Sequence, residues 1–247
     1  MTNKRKVALI TGAAQRIGKS IALELHNRNI DVVLHCGQSI NAAKQLCTLL
    51  NDKRSNSAAI VQADLLQESS STNKFLVQQS IKHFNRLDYL INNAAIFYPS
   101  SFLESSIDSL EKFLQVNTFQ AANLIREASC YLKRNNGAVV NIIDIYAKRG
   151  LKEHCDYSTS KNALLALTQC FASVYAPEIR INAVSPGAIL WPSNANNQNQ
   201  QTIIENTALK RQGSAQDISK TVAYLLIDAL YTTGSEISVD GGRQLYI

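Results

Sequence analysis

Short apolar runs alternate along this chain with longer amphipathic stretches. The runs at Lys6–Thr11, Ile30–His35, Ala58–Gln62, Leu87–Ile91, Ala138–Ile143, Ile179–Val184 and Ile237–Val239 are rich in aliphatic and β-branched side chains. They are too short for helices and read as buried strands. Between them, apolar residues recur at helical spacing. Lys19–Arg28 carries Ile21, Ala22, Leu23 and Leu25, and Thr72–Phe84 carries Phe75, Leu76, Ile81 and Phe84. Ser39–Leu50 and Tyr157–Tyr175 follow the same rule, and the spacing predicts one long helix over Ser109–Leu132. Continuously apolar strands alternating with helices imply a parallel sheet covered on both faces. No repeat or linker interrupts the rhythm, so residues 1–247 are expected to form a single α/β domain. One segment departs from it. Trp191–Gln201 (WPSNANNQNQQ) has no apolar period and lies in an insertion around 188–212. It reads as a floppy insert or as a lid. The lid is favoured because it follows a strand end, where ligands bind in such sheets.

Composition narrows the class. The 247 residues are 45% hydrophobic, enough for a sizeable core. No apolar run is long enough to span a bilayer. The start, MTNKRKVALITG, passes into a strand without a signal-peptide core, so a cytoplasmic protein with no membrane partner is expected. Cys36, Cys47, Cys130, Cys155 and Cys170 are odd in number and form no CxxC pair. Reduced thiols are expected, and no metal site. The net charge of +6 is dispersed, apart from Lys4-Arg5-Lys6, so no nucleic-acid partner is expected. An anionic small molecule such as a phosphorylated cofactor accounts for the charge as well.

The turn Gly12-Ala13-Ala14-Gln15-Arg16-Ile17-Gly18 joins the first strand to the first helix. Glycines there admit a pyrophosphate to the backbone, and the helix start offers it unpaired N–H groups. The spacing is not GxGxxG: Gly12 and Gly18 remain, and Arg16 stands where a middle glycine could be. The second strand ends His35-Cys36-Gly37-Gln38-Ser39, without the acid that an NAD site uses for its ribose 2′-hydroxyl. A 2′-phosphate is tolerated there, with Ser39 as hydroxyl donor and Arg16 as the nearby charge, so NADPH is the expected cofactor. Ser39 reads equally as a helix N-cap, and both roles can coexist. Asp64, followed by Leu65, suits either an adenine amino group or a helix cap. Asn93 and Ala94, after the fourth strand, suit packing on a ribose. A doubly wound Rossmann-type domain with a mostly seven-stranded parallel sheet satisfies all of these features.

The chemical end follows the fifth strand, which stops at Asp144. Beyond a polar loop, Tyr157 and Lys161 are four apart and share one helical face. Bringing a tyrosine from pKa near 10 toward neutrality takes about 4 kcal/mol. An ammonium ~4 Å away supplies about that at an effective dielectric near 20. Lys161 precedes the apolar run Ala163–Leu167, where a charge without a polar site to face would be costly.

Thr11-Gly12 with Gly18, Asp64, Asn92-Asn93-Ala94, Asn117, Tyr157-x-x-x-Lys161 and Ser185-Pro186-Gly187 stand in one order along the chain. In this it resembles the short-chain dehydrogenase/reductases over nearly its whole length. The resemblance implies that Tyr157 donates a proton and that Lys161 binds the nicotinamide ribose and lowers the tyrosine pKa. It further implies that Asn117 holds a proton-relay water, that Ile17, Leu65, Pro186 and Gly187 join the cofactor set, and that the chain forms a homotetramer. Independently, the helices from Ser109 and Tyr157 are apolar on more faces than one sheet covers. Most members have serine in place of Asp144. Asp144, Arg16 and Phe97-Tyr98-Pro99 together look like the pteridine reductases. That branch implies a pterin between nicotinamide and Phe97, contacted by Arg16, with protons handled by Asp144 and Tyr157. Trp191, in the lid, is a further candidate substrate residue. A flat bicyclic ring wants an aromatic platform. Two departures stand out: Gln38 where that branch often has a basic residue, and Ala95 where it often has serine. The expected activity is NADPH-dependent reduction of a dihydropterin, with dihydrofolate as a further candidate. Carbonyl or 3-oxoacyl-thioester reduction is the alternative. A non-catalytic nucleotide-binding regulator is the remote one, opposed by the intact Asn117, Tyr157 and Lys161.

Overall fold

The structure is a computed structural model that describes residues 5–66, 70–100, 106–190 and 197–246. Seven strands form one sheet: β1 (Val7–Ile10), β2 (Asp31–Cys36), β3 (Ala58–Gln62), β4 (Tyr89–Asn92), β5 (Ala138–Ile142), β6 (Arg180–Pro186) and β7 (Glu236–Val239). Their order is β3-β2-β1-β4-β5-β6-β7, with every pair parallel. The winding reverses between β1 and β4, and the crevice above their carboxyl ends is the place where such sheets bind ligands.

Alternation along each strand divides the core in two. Ala8, Ile10, Val32, Leu34, Ile91, Val140 and Ile142 face one side, where α1 (Arg16–Asn27), α2 (Ile40–Lys53) and α8 (Ala215–Ile227) cover them. Val7, Leu9, Val33, Leu90, Val139 and Ile181 face the other, beneath α3 (Ser70–Phe84), α5 (Gln120–Arg134) and α6 (Cys155–Tyr175). Full burial of each large aliphatic side chain contributes roughly 1.5–3 kcal/mol. A buried polar chain also crosses the middle of the sheet. Asn92 Nδ2 donates to Asn141 Oδ1 at 2.8 Å, and Asn141 Nδ2 donates to Thr168 Oγ1 at 2.8 Å. It ties β4, β5 and α6 in one register directly below the crevice.

Three features differ from the expected elements. The long helix is not uniform: α4 (Ile107–Leu114) passes through a π-turn at Gln115–Phe119 before α5. The extra residue in that turn brings Asn117 into a bonding position, as such bulges often do at functional sites. Helix α8 is absent from the elements that the periodicity assigns. Its start is nevertheless fixed by a capping box, with the Ser214 hydroxyl accepting from Asp217 N and the Asp217 carboxylate accepting from Ser214 N. The end of the aperiodic segment belongs to helix α7 (Asn197–Glu205), while Trp191 lies outside the described residues. Among the described residues no helix is long and apolar enough to cross a membrane.

Candidate active site

Two adjoining cavities lie above the carboxyl ends of the strands. The first, of about 340 Å³, is lined by Gly12, Arg16, Ile17, Gly18, Cys36, Ser39, Asn93 and Ala94, among others. Gly12 has φ +62°, and a Cβ on Gly18 would overlap the Gly12 carbonyl oxygen. The turn therefore needs glycine at both positions. Arg16 also has φ +52°, in the left-handed region that a glycine would occupy without cost. Its Nη2 donates to Leu190 O at 3.2 Å.

Other groups brace this turn. Asn93 Nδ2 donates to Thr11 O at 2.9 Å and Gly12 O at 3.1 Å, and Thr11 Oγ1 accepts from the N–H groups of Asn93 and Ala94 at 2.9 Å. His35 Nδ1 accepts from Gly12 N at 3.2 Å, and its Nε2 bonds Ala63 O at 3.1 Å. Those partners require the neutral ring protonated on Nε2. Burial keeps it so, pulling the imidazole pKa down to about 4 against the opposing pull of the Ala63 carbonyl and Asp64. The sequence points to His35 only as part of a strand end lacking an acid.

Ser39 occupies the N-cap position of α2, yet its hydroxyl caps nothing. It is one of the groups lining the cavity. Asp64 and Leu65 do not line it. Asp64 Oδ1 closes a tight turn with Leu66 N at 2.9 Å, and the Leu65 side chain is buried. Asp64 is not the N-cap of α3, which starts at Ser70, and the adenine contact remains an expectation.

The second cavity, of about 650 Å³, holds the chemical groups. Its lining includes Phe97, Asp144, Tyr146, Tyr157, Lys161, Pro186, Gly187 and Arg243, and it shares Arg16, Ile17 and Asn93 with the first. Tyr157 OH donates to Asp144 Oδ2 at 2.9 Å, and Asp144 Oδ1 accepts from Tyr146 N at 2.8 Å. Lys161 Nζ donates to Ile142 O at 2.8 Å and lies 5.9 Å from the Tyr157 ring centroid. Burial lifts the Asp144 carboxyl above its usual range, against the pull of the Tyr146 N–H, the Tyr157 hydroxyl, Lys161 and His154. Burial also pushes Lys161 down to about 8, with the Asp144 charge opposing.

Tyr157 moves opposite to expectation. Burial, then the Asp144 charge and its hydrogen bond, raise it well above the ordinary phenol. The expected lowering by Lys161 does not appear, because the ammonium is bonded to a strand carbonyl while the carboxylate is the group on the phenol. Tyr157 is thus held as a protonated donor, paired with an acid whose neutral form burial favours.

Asn117 is buried and does not line the cleft. Its Oδ1 accepts from Ile96 N at 2.9 Å, and its Nδ2 donates to Ile96 O at 3.2 Å and Ser160 Oγ at 3.0 Å. Ser160 Oγ donates in turn to Tyr157 O at 2.7 Å. The amide thus fixes the segment leading to Phe97 and the helix that carries Tyr157, and both Nδ2 protons are committed to protein partners. Phe97, 50% exposed, meets Tyr157 edge-on at 4.7 Å between centroids. It stacks on His154 at 4.6 Å and 13°. Tyr146 and Arg243 line the cleft, and His154 stacks on Phe97; the sequence alone marks none of the three. None belongs to a spacing motif; only the fold brings them together.

A glycine cradle at a helix start beside a buried acid–phenol–ammonium group defines a dinucleotide-dependent oxidoreductase. The chain belongs to the short-chain dehydrogenase/reductases: the family model described as enoyl-(acyl carrier protein) reductase matches residues 12–244. It is 32% identical to pteridine reductase 1 of Leishmania tarentolae, over 97% of this chain and 96% of that protein. It is 31% identical to ketoacyl reductase 2 of the granaticin polyketide synthase of Streptomyces violaceoruber, over 97% and 96%. It is also 31% identical to a 3-oxoacyl-(acyl-carrier-protein) reductase of Staphylococcus epidermidis, over 97% and 99%.

The nicotinamide cofactors of this family fit the residues present. The Gly12–Gly18 cradle leaves no room for a Cβ, and the unused Ser39 hydroxyl stands at the adjoining cavity wall. Gly12, Arg16, Ile17, Gly18, Asn93 and Ala94 would hold the dinucleotide on one side, and Lys161, Pro186 and Gly187 at the nicotinamide end.

Proposed function

We propose that the protein reduces a dihydropterin C=N with NADPH. The Asp144–Tyr157 hydrogen bond beside the Phe97 ring carries this reading. Hydride chemistry at the cleft comes from the nicotinamide when it is bound. The protein's own part is to orient a flat ring and deliver one proton to the ring nitrogen next to the reduced carbon. Tyr157 gives that proton and takes one from neutral Asp144. The pair loses one proton in all, and the negative charge rests on the carboxylate, the stronger acid of the two. Serine in place of Asp144 would polarise a carbonyl but bring no acidic proton. Phe97 offers an exposed aromatic surface for a bicyclic ring. NADPH rather than NADH is supported by the absence of an acid after β2, by the uncapped Ser39 hydroxyl and by Arg16 at the same cavity.

NADPH oxidation with 7,8-dihydrobiopterin, dihydromonapterin and dihydrofolate, beside an acetoacetyl thioester, tests the assignment. Turnover of the thioester alone overturns it in favour of 3-oxoacyl-thioester reduction, the activity named in two of the similar proteins. Asp144→Ser is expected to lower pterin kcat about 100-fold with NADPH affinity unchanged. The wild-type rate should fall as pH rises through the elevated Asp144 pKa, because the carboxyl then has no proton to give. The serine variant should lack that limb. An unchanged rate and profile would remove Asp144 from proton delivery.

The assembly we propose is a homotetramer built on α5 and α6. Phe119 and Val174, at the start and end of this helical surface, are 47% and 70% exposed in the single chain. A monomer by light scattering would overturn it.

A further inference from the structure

The end of the chain places a cation in the cleft that the chemistry above does not use. Arg243 opens a short 3₁₀ turn after β7 and lines the same cavity as Asp144 and Tyr157. Its Nε and Nη2 donate to Tyr146 OH at 3.1 and 3.0 Å. Its Nη1 donates to Ile203 O of α7 at 3.2 Å and to Asn206 O at 3.4 Å. All these acceptors are neutral, and among the described residues no carboxylate forms an ion pair with it. One Nη2 proton of the guanidinium's five N–H donors remains unassigned. The Tyr146 hydroxyl receives two of these bonds and donates to no acceptor among the described residues, so its proton is also available. Arg16 lines the same cavity, and among the described residues it is likewise bonded only to a neutral carbonyl, Leu190 O.

We infer that Arg243 and Tyr146 form an anion subsite for the tail of the substrate, at the end of the cleft away from the cofactor cavity. A carboxylate or phosphate would accept from Arg243 Nη2 and Tyr146 OH together. Bonds from a guanidinium to an anion are shorter and stronger than those to neutral oxygens. Tyr146 is also the residue whose N–H bonds Asp144, so the tail and the acid are held by one residue. Arg243 additionally holds the Ile203 carbonyl of α7 and the Asn206 carbonyl just after it, so tail binding and the placement of the end of α7 share one side chain. This deepens the proposed function: it rests on a pterin as the reacting ring and states that the preferred substrate carries an anionic substituent.

Matched substrates test it. Dihydrofolate against its glutamate dimethyl ester isolates a carboxylate, and dihydroneopterin monophosphate against dihydroneopterin isolates a phosphate. The wild-type enzyme is expected to prefer the anionic member of at least one pair by about tenfold in kcat/KM, expressed in KM, with the gap shrinking as salt rises. The pair that shows the gap identifies the anion. In Arg243→Met the gap should close to within about twofold, and Arg243→Lys should keep part of it. A merely structural Arg243 would lower both members together and leave the ratio intact, and that result overturns the inference. So does a wild-type ratio near one in both pairs, which needs no folded variant. Should no pterin be turned over, the pterin reading fails on its own. The subsite is then judged by the same ratio for acetoacetyl-coenzyme A against the uncharged acetoacetyl-N-acetylcysteamine.

Discussion

Tyr157→Phe is expected to lower kcat about 10³-fold while the protein keeps its fold and its affinity for NADPH. The ring is buried and packs edge-on against Phe97 at 4.7 Å and Phe113 at 6.4 Å, contacts that phenylalanine preserves. Only the hydroxyl is lost, and with it the bond to Asp144 Oδ2. Leaving a buried acceptor without its donor costs about 1–3 kcal/mol, so melting should change modestly. The chemical step suffers far more, because among the described residues the phenol is the only O–H bonded to Asp144. Single-turnover rates at saturating NADPH and dihydropterin separate the two effects. A variant retaining more than a tenth of the wild-type rate would remove Tyr157 as the donor; absence of any reductase activity in the wild type would instead favour a nucleotide-binding regulator. The double variant with Asp144→Ser should cost little more than Tyr157→Phe alone, since the two residues form one proton path.

The framework around this pair was legible because it is periodic. Buried strands declare themselves by continuous apolar runs such as Val7–Ile10 and Val32–Leu34, each covered on two faces. Tyr157 and Lys161 were legible because one helical turn fixes their relative placement from spacing; Asp144 stood out as a strand end, and its pairing with Tyr157 came from the family resemblance. The direction of the Tyr157 shift was not. It depends on where the Lys161 ammonium is bonded, and Ile142 O takes it. The π-turn at Asn117 escaped because one extra residue scarcely disturbs an apolar period. Helix α8 was passed over, although the Ser214 and Asp217 capping pair marks its start in the sequence. His154 and Arg243 could not be found by spacing. The first reaches Phe97 across 57 residues of chain, and the second reaches Tyr146 from 97 residues away. Contacts of that kind exist only after the sheet has closed.

Gly18→Ala should weaken NADPH binding more than 100-fold, by displacing the turn rather than by touching the proton site. The new Cβ would overlap the Gly12 carbonyl oxygen and lie 2.9 Å from the Gly12 carbonyl carbon and 2.7 Å from Asn93 Nδ2. Real Cβ atoms do not approach backbone so closely, so something must move. Asn93 is the flexible partner, but its amide bonds Thr11 O and Gly12 O. Gly12 is pinned from beneath by His35 Nδ1 and already has φ +62°. Relief therefore comes from shifting the turn, which moves the start of α1 and its unpaired N–H groups away from the pyrophosphate position. Gly150→Ala is the control for conformation without crowding. Its φ of +76° strains any side chain by about 1 kcal/mol, yet a Cβ there meets nothing within 4 Å. It should lose a little stability and leave NADPH affinity alone. Titration by nicotinamide fluorescence reads both variants. Equal affinity of Gly18→Ala and wild type would mean that the pyrophosphate does not sit on this turn. Equal losses in both variants would mean that general destabilisation, and not the contact with Gly12, sets the affinity.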